Sequence, residues 1–247
     1  MHFLVAHTYA TTHLAGPTGG WGSLEYSQAQ VGSVLGGRWK VLHYFFRRTL
    51  FTDQFATCGV ASRGTNGDNS VGRARASVTH PFLCGIVNDS PWAFHGQFTL
   101  KAISLTQRGN GSTTLKTLPL VMGAAGFSEW HNVTIGTLDP TTTVLVATIS
   151  NSSAHVVHEN LIPLTSPDNM RLRAANVTAV VTGLTVTVST DWPALWVVLT
   201  CAAHGRFEDN AFLLRGSRTI DFVPFVDEQE EVLRQTIRVE HVGQHIL

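Results

Sequence analysis

The residues best placed to do chemistry are the acids and histidines that fall close together. In GRFEDNAFLL (205–214), Glu208 and Asp209 stand side by side, as a candidate acid and base. His158 with Glu159, and Glu129-Trp130-His131, bring other titratable groups together. Glycoside hydrolysis needs two carboxylates facing one reacting centre, about 5–10 Å apart on a rigid frame. Adjacent residues of a strand point to opposite faces, so neither histidine-containing group is expected to form a shared site. The remaining acids collect in turns and in the tail, and no GxSxG, HExxH, P-loop or dinucleotide fingerprint occurs. The sequence thus assigns no catalytic residue, no metal ligand and no cofactor. Gly205, Asp209 and Asn210 read as turn residues that satisfy backbone groups. Phe207 is expected to anchor the turn, Phe212 and Leu214 to open a strand, and Arg206 to pair with Glu208 or Asp209.

A second kind of chemistry is modification. Asn88, Asn110, Asn132, Asn151 and Asn176 each begin an Asn-x-Ser/Thr glycan acceptor motif. Cys58, Cys84 and Cys201 lack CxxC spacing. They allow one disulfide with a thiol left over, or three free thiols, and imply no zinc site.

The elements that would position these residues are mostly strands. GQFTLKAISL, TTVLVATIS, NVTAVVTGLTVTVST, ALWVVLTC and SRTIDFVPF alternate apolar and polar residues and are rich in Val, Ile, Thr and Phe. Gly183 sits where a tight turn is expected, and Ile237 and Val239 suggest a last edge strand after an acidic turn. Short strands without intervening amphipathic helices predict antiparallel sandwiches. The exception is GGRWKVLHYFFRRTLF (36–51), read as a helix with an apolar stripe of Trp39, Leu42, Phe45, Phe46 and Leu50. Residues 59–81 lack bulky apolar side chains and read as a linker or disordered insertion. The expected division is 1–58, 59–81, a sandwich over 82–165 and a second over 166–247, with the turn TSPDN at 165–169 between the sandwiches.

The chain has 247 residues, is 43% hydrophobic and carries a formal net charge of +0. That balance gives no electrostatic reason to expect nucleic acid or an anionic membrane. No apolar run approaches the roughly 18–20 residues of a membrane helix, and the N-terminus does not read as a signal peptide.

GWGSLEY (20–26) and GGRWKVLHYF (36–45) resemble the end of the catalytic barrel of β-mannosidases in glycoside hydrolase family two. Residues 188–225 resemble the C-terminal immunoglobulin-like domain of animal lysosomal β-mannosidases, and residues 143–172 resemble the preceding domain more weakly. The resemblance implies a mainly β chain of immunoglobulin-like sandwiches, preceded by a remnant of the last helix of a (β/α)8 barrel. It also implies a retaining exo-glycosidase of the lysosome, acting as a monomer on terminal β-linked mannose of oligosaccharides. Both catalytic Glu residues of that family lie upstream of the SLEY segment, so this chain is expected to begin after them and to be inactive alone. Glu25 matches a non-catalytic position. Trp21 matches the Trp that lines the sugar subsite, where an aromatic face stacks on pyranose C–H groups. SQAQVGSVL, inserted before Gly36, departs from the family and implies a truncated or imperfectly spliced product, or a mis-predicted gene model. The alternative is a non-catalytic module that binds glycans through Trp130 or Trp192, with Trp196 read as core.

Overall fold

The computed structural model describes residues 24–26, 37–49, 51–60, 82–109 and 111–246. The insertion read at 59–81 falls almost wholly outside them. Strands β1 (Leu24–Tyr26) and β2 (Gly37–Trp39) lead into helix α1 (Val41–Thr49). Strands β3 (Gln54–Val60), β4 (Phe82–Asn88), β5 (Phe94–Ser104), β6 (Ser112–Met122), β7 (Phe127–Val133), β8 (Thr143–Asn151) and β9 (Val156–Pro163) follow. After a 3-10 turn at Pro167–Asn169 come β10 (Val177–Thr182), β11 (Thr185–Thr190) and β12 (Ala194–Thr200). Then come β13 (Gly205–Phe207), β14 (Phe212–Leu214), β15 (Ser217–Pro224), helix α2 (Glu230–Thr236) and β16 (Arg238–Glu240). The antiparallel sandwiches expected from the alternation form, with the mainly β, immunoglobulin-like character that the resemblance implied.

The chain divides into two compact units, Arg48–Ala174 and a second made of residues up to Arg47 with Ala175–His245. In the first, sheet β3-β4-β7 and sheet β6-β5-β8-β9 enclose one core. Strand β4 buries alternate residues: Phe82, Cys84, Ile86 and Asn88 face inward. Phe98, Leu100, Leu145 and Ile149 of the other sheet are fully buried against that cluster, as two inner faces of a sandwich require. Cys58 and Cys84, directly opposed on β3 and β4, form a disulfide, and Cys201 remains a free thiol. The sequence begins this sandwich at residue 82, whereas β3 pairs along its whole length with β4.

Ala56, on β3, offers its carbonyl to Asn160 Nδ2 at 3.0 Å and to His158 Nε2 at 3.4 Å, both from β9. His158 is 4% exposed. Burial, reinforced by the charge of Arg48 and opposed by the Ala56 carbonyl, pushes its pKa down to about 4. The unfolded chain therefore takes up a proton near the ordinary imidazole pKa that the folded unit refuses. Stability contributed by neutral His158 is present above about pH 6.5 and drains away as the pH falls toward 4, by roughly 2–3 kcal/mol. Urea unfolding at about pH 7 and pH 5 should show this loss, and His158→Leu should flatten it.

The second unit pairs sheet β1-β2-β13-β15-β11-β10 with sheet β14-β12-β16. The β10–β11 hairpin turns at Gly183, whose φ of 61° suits glycine. Strand β16 pairs with β12, placing Val239 opposite Leu199, as expected for a last edge strand. Val186, Val188, Ile220 and Phe222 meet Val197, Leu199, Phe212 and Leu214 in the core.

The N-terminal helix differs from its sequence reading. Gly37–Trp39 is strand rather than helix, because it is held between β1 and β13. Of the expected stripe, Leu42 is 40% and Phe45 37% exposed, and Leu50 lies outside the described residues. The residue α1 buries is Tyr44, at 2%. Tyr44 joins the core of the β10–β16 sandwich.

Candidate functional site

Tyr44, β13 and the turn after it form a buried polar cluster of the second unit. The Phe207 backbone N–H donates to the Tyr44 hydroxyl at 2.8 Å. Asn210, 1% exposed, closes the turn. Its Oδ1 accepts from Leu199 N at 2.8 Å and from Ala211 N at 2.9 Å, and its Nδ2 donates to the Leu199 carbonyl at 2.8 Å. The side chain thus replaces a strand partner for Leu199 at a point where β12 would otherwise leave buried backbone groups unpaired. Gly205 is required here: a Cβ would stand 2.5 Å from both the Phe222 ring and the Val223 carbonyl oxygen.

Beside this cluster lies a cleft of about 780 Å³ bordered by Arg38, Trp39, Tyr44, Cys201, Phe207 and Arg238 among others. Its described lining contains no carboxylate. The Arg206 guanidinium lies 5.0 Å over the Trp39 ring and that of Arg47 5.9 Å, so the indole is held by cation–π contacts. Burial raises the Tyr44 hydroxyl well above the ordinary phenol range, despite its contacts with Phe207, Asn210 and Arg206. Burial also pushes the Cys201 thiol up to about 11, against the Ala203 carbonyl and Arg38, which keeps it from acting as a thiolate nucleophile. His43 is held below its usual pKa by burial and then by Arg47. The Tyr44 phenol and the Cys201 thiol of the cleft thus hold their protons at neutral pH. Tyr44→Phe should leave the Phe207 N–H buried without a partner and lower stability by about 1–2 kcal/mol in denaturant unfolding.

The acids of GRFEDNAFLL are separated in purpose. Glu208 is exposed; its carbonyl accepts from Arg47 Nη1 at 2.8 Å and its N–H donates to the Asp221 carbonyl at 2.8 Å. Asp209 pairs with Arg218 at 2.7 Å. The expected pairing of Arg206 with either acid does not form, because its guanidinium is drawn over Trp39 instead. Glu129 and His131 correct the reading that their segment holds no facing pair. They are two apart on β7, share one face, and approach to 3.0 Å. Among the described residues, no group of three or more His, Cys, Asp or Glu is placed to hold a metal ion.

Trp21 and Asn110 lie outside the described residues. Asn88 is fully buried. Its Oδ1 accepts from Gln54 Nε2 at 2.8 Å and Ser90 N at 3.3 Å, while its Nδ2 donates to the carbonyls of Trp92 and Gly123, both at 2.8 Å. Asn151 holds the β8–β9 turn by accepting from Ser153 N at 3.1 Å and His155 N at 3.0 Å. Asn132 and Asn176 are exposed. Trp130 is 64% exposed, and Trp192 is half-buried. Trp196, read as core, is half-buried with φ 49° at a bulge between Ala194 and Val197, which takes it out of the strand alternation. Tyr44 and Trp92, 76% exposed, were the informative residues missed. A Tyr whose hydroxyl needs a buried partner was the available signal for the first.

Comparison with known proteins assigns the sandwich its class. Residues 168–245 match the family model Ig_mannosidase, an Ig-fold domain, and this part of the chain is an Ig-fold domain. Among solved structures, a β-D-mannosidase of Dictyoglomus thermophilum superposes with a TM-score of 0.59 at 16% identity, over 90% of this chain and 24% of that one. That likeness is one of fold. An exo-chitosanase of Amycolatopsis orientalis gives a TM-score of 0.43 at 18% identity, over 65% of this chain and 24% of that one. The chain therefore spans about a quarter of the length of the structures it matches. No curated protein matches it.

Proposed function

We propose that this chain is the C-terminal, sandwich-bearing part of a β-mannosidase of glycoside hydrolase family two. The full enzyme would remove terminal non-reducing β-D-mannose from glycoprotein oligosaccharides by the retaining route, as a lysosomal monomer. Strand β2 and α1 would be the remnant of the barrel's last turn, and the catalytic Glu pair would be supplied by residues outside these. The observation that carries the reading is the Tyr44–Phe207 hydrogen bond. It joins the two stretches whose sequences most specifically resemble β-mannosidases, residues 36–45 and 188–225, and the second of these lies within the Ig_mannosidase match. The domain braces the barrel end in this reading and contributes no acid or base.

Sequencing the transcript upstream of residue 1 and across codons 18–40 tests it. An in-frame barrel with two Glu-bearing strand ends is expected, as is an mRNA joining Tyr26 to Gly36. An unrelated upstream domain would sink the assignment.

A further inference from the structure

Strand β7 alternates: Ser128, Trp130 and Asn132 are exposed, while Glu129, His131 and Val133 turn inward. Trp130 lies directly across from Gly85 of β4. A Cβ on Gly85 would come within 2.9 Å of two atoms of the Trp130 ring, so the indole rests on the strand where glycine makes room, leaving most of its area to solvent. Asn132 follows on the same face, two residues or about 7 Å along the strand. It opens the motif Asn132-Val133-Thr134, whose Thr is also exposed. The same three-stranded sheet carries the Cys58–Cys84 disulfide. A structural disulfide marks an oxidising compartment, the setting in which N-linked glycans are attached to such motifs.

We propose that Asn132 carries an N-linked glycan whose first N-acetylglucosamine stacks on Trp130. The sugar's C–H face would lie on the π-face of the indole, covering one of the three most exposed large apolar side chains among the described residues. Spacing decides the pairing: residues two apart on a strand share a face, whereas a neighbour would point through the sheet. Gly85 beneath the ring sets its height and tilt, so the platform is made by β4 and the ligand is tethered by β7. Asn88 has the same acceptor motif, but its amide is buried and donates to two backbone carbonyls. The folded sheet thus separates a usable motif from an unusable one. This inference requires passage through a secretory compartment and does not rest on the glycosidase reading.

The test is secretion of the full chain from animal cells, glycopeptide mass spectrometry, and trimming of its glycans to the first N-acetylglucosamine. Asn132 should be occupied. The trimmed sugar should raise the melting temperature by about 2 °C relative to Asn132→Gln. In a Trp130→Ala background the same comparison should show no gain. Gly85→Ala, which pushes the ring off its seat, should reduce the gain while Asn132 stays occupied. An unmodified Asn132, or an equal gain with and without Trp130, would overturn the proposal.

Discussion

Asn88→Asp should unfold the Arg48–Ala174 sandwich at neutral pH. The native amide donates through Nδ2 to the Trp92 and Gly123 carbonyls and accepts through Oδ1 from Gln54 and Ser90, with no exposed surface. A carboxylate keeps the acceptor but turns the donor into a second acceptor aimed at two carbonyl oxygens. Two carbonyls lose their partner, and a charge is buried with no cation among the groups its amide contacts. Each unpaired carbonyl costs about 1–3 kcal/mol, and the buried charge adds several more, so a loss on the order of 4 kcal/mol or greater is expected. Urea unfolding followed by tryptophan fluorescence would measure it. Asn88→Ala, which removes the bonds without adding charge, should cost less. Equal stability of wild type and Asn88→Asp would show that the amide is not held as described.

Asn210→Ala is the corresponding substitution in the other unit. It strips the partners from Leu199 N, the Leu199 carbonyl and Ala211 N at once, all around a side chain 1% exposed. Loss of these three bonds to buried backbone groups predicts a destabilisation of roughly 3–5 kcal/mol. Amide exchange of Leu199 would accelerate before that of β11, because the defect is local to β12. A loss below about 1 kcal/mol would mean that water or a shifted strand replaces the amide.

Much of the sandwich could be read in the sequence because period-two alternation decides which residues face a core. β10, β11, β12 and β15 fall within segments singled out on that basis, and β5 and β8 overlap theirs over most of their length. Gly183 and Asn210 were legible for a different reason: their side chains have few conformational roles, and both are turn roles. What escaped was long-range pairing. Gly37–Trp39 follows helical spacing in sequence, yet β13 offers it a strand edge 167 residues away, from Arg38 to Gly205. Tyr44 was hidden because its partner, Phe207 N, is 163 residues distant. β3 was detached from its sandwich because the segment separating it from β4 carries no strand pattern. The Glu129–His131 pair was missed by treating neighbours as the relevant spacing, when alternation favours residues two apart.

The chemistry assigned to the two units is consistent with their construction. In GRFEDNAFLL the Asp209 carboxylate pairs with Arg218 and the Arg206 guanidinium lies over Trp39, while exposed Glu208 meets Arg47 through its backbone carbonyl. The cleft beside them is lined by a protonated thiol and a protonated phenol. Neither set can supply the paired carboxylates of a retaining glycosidase.

The most direct measurement is release of p-nitrophenol from p-nitrophenyl β-D-mannoside by the purified 247-residue chain. The expected rate is that of buffer alone, at neutral and at mildly acidic pH. Sustained turnover that copurifies with the chain would contradict the placement of the acid/base and nucleophile outside these residues.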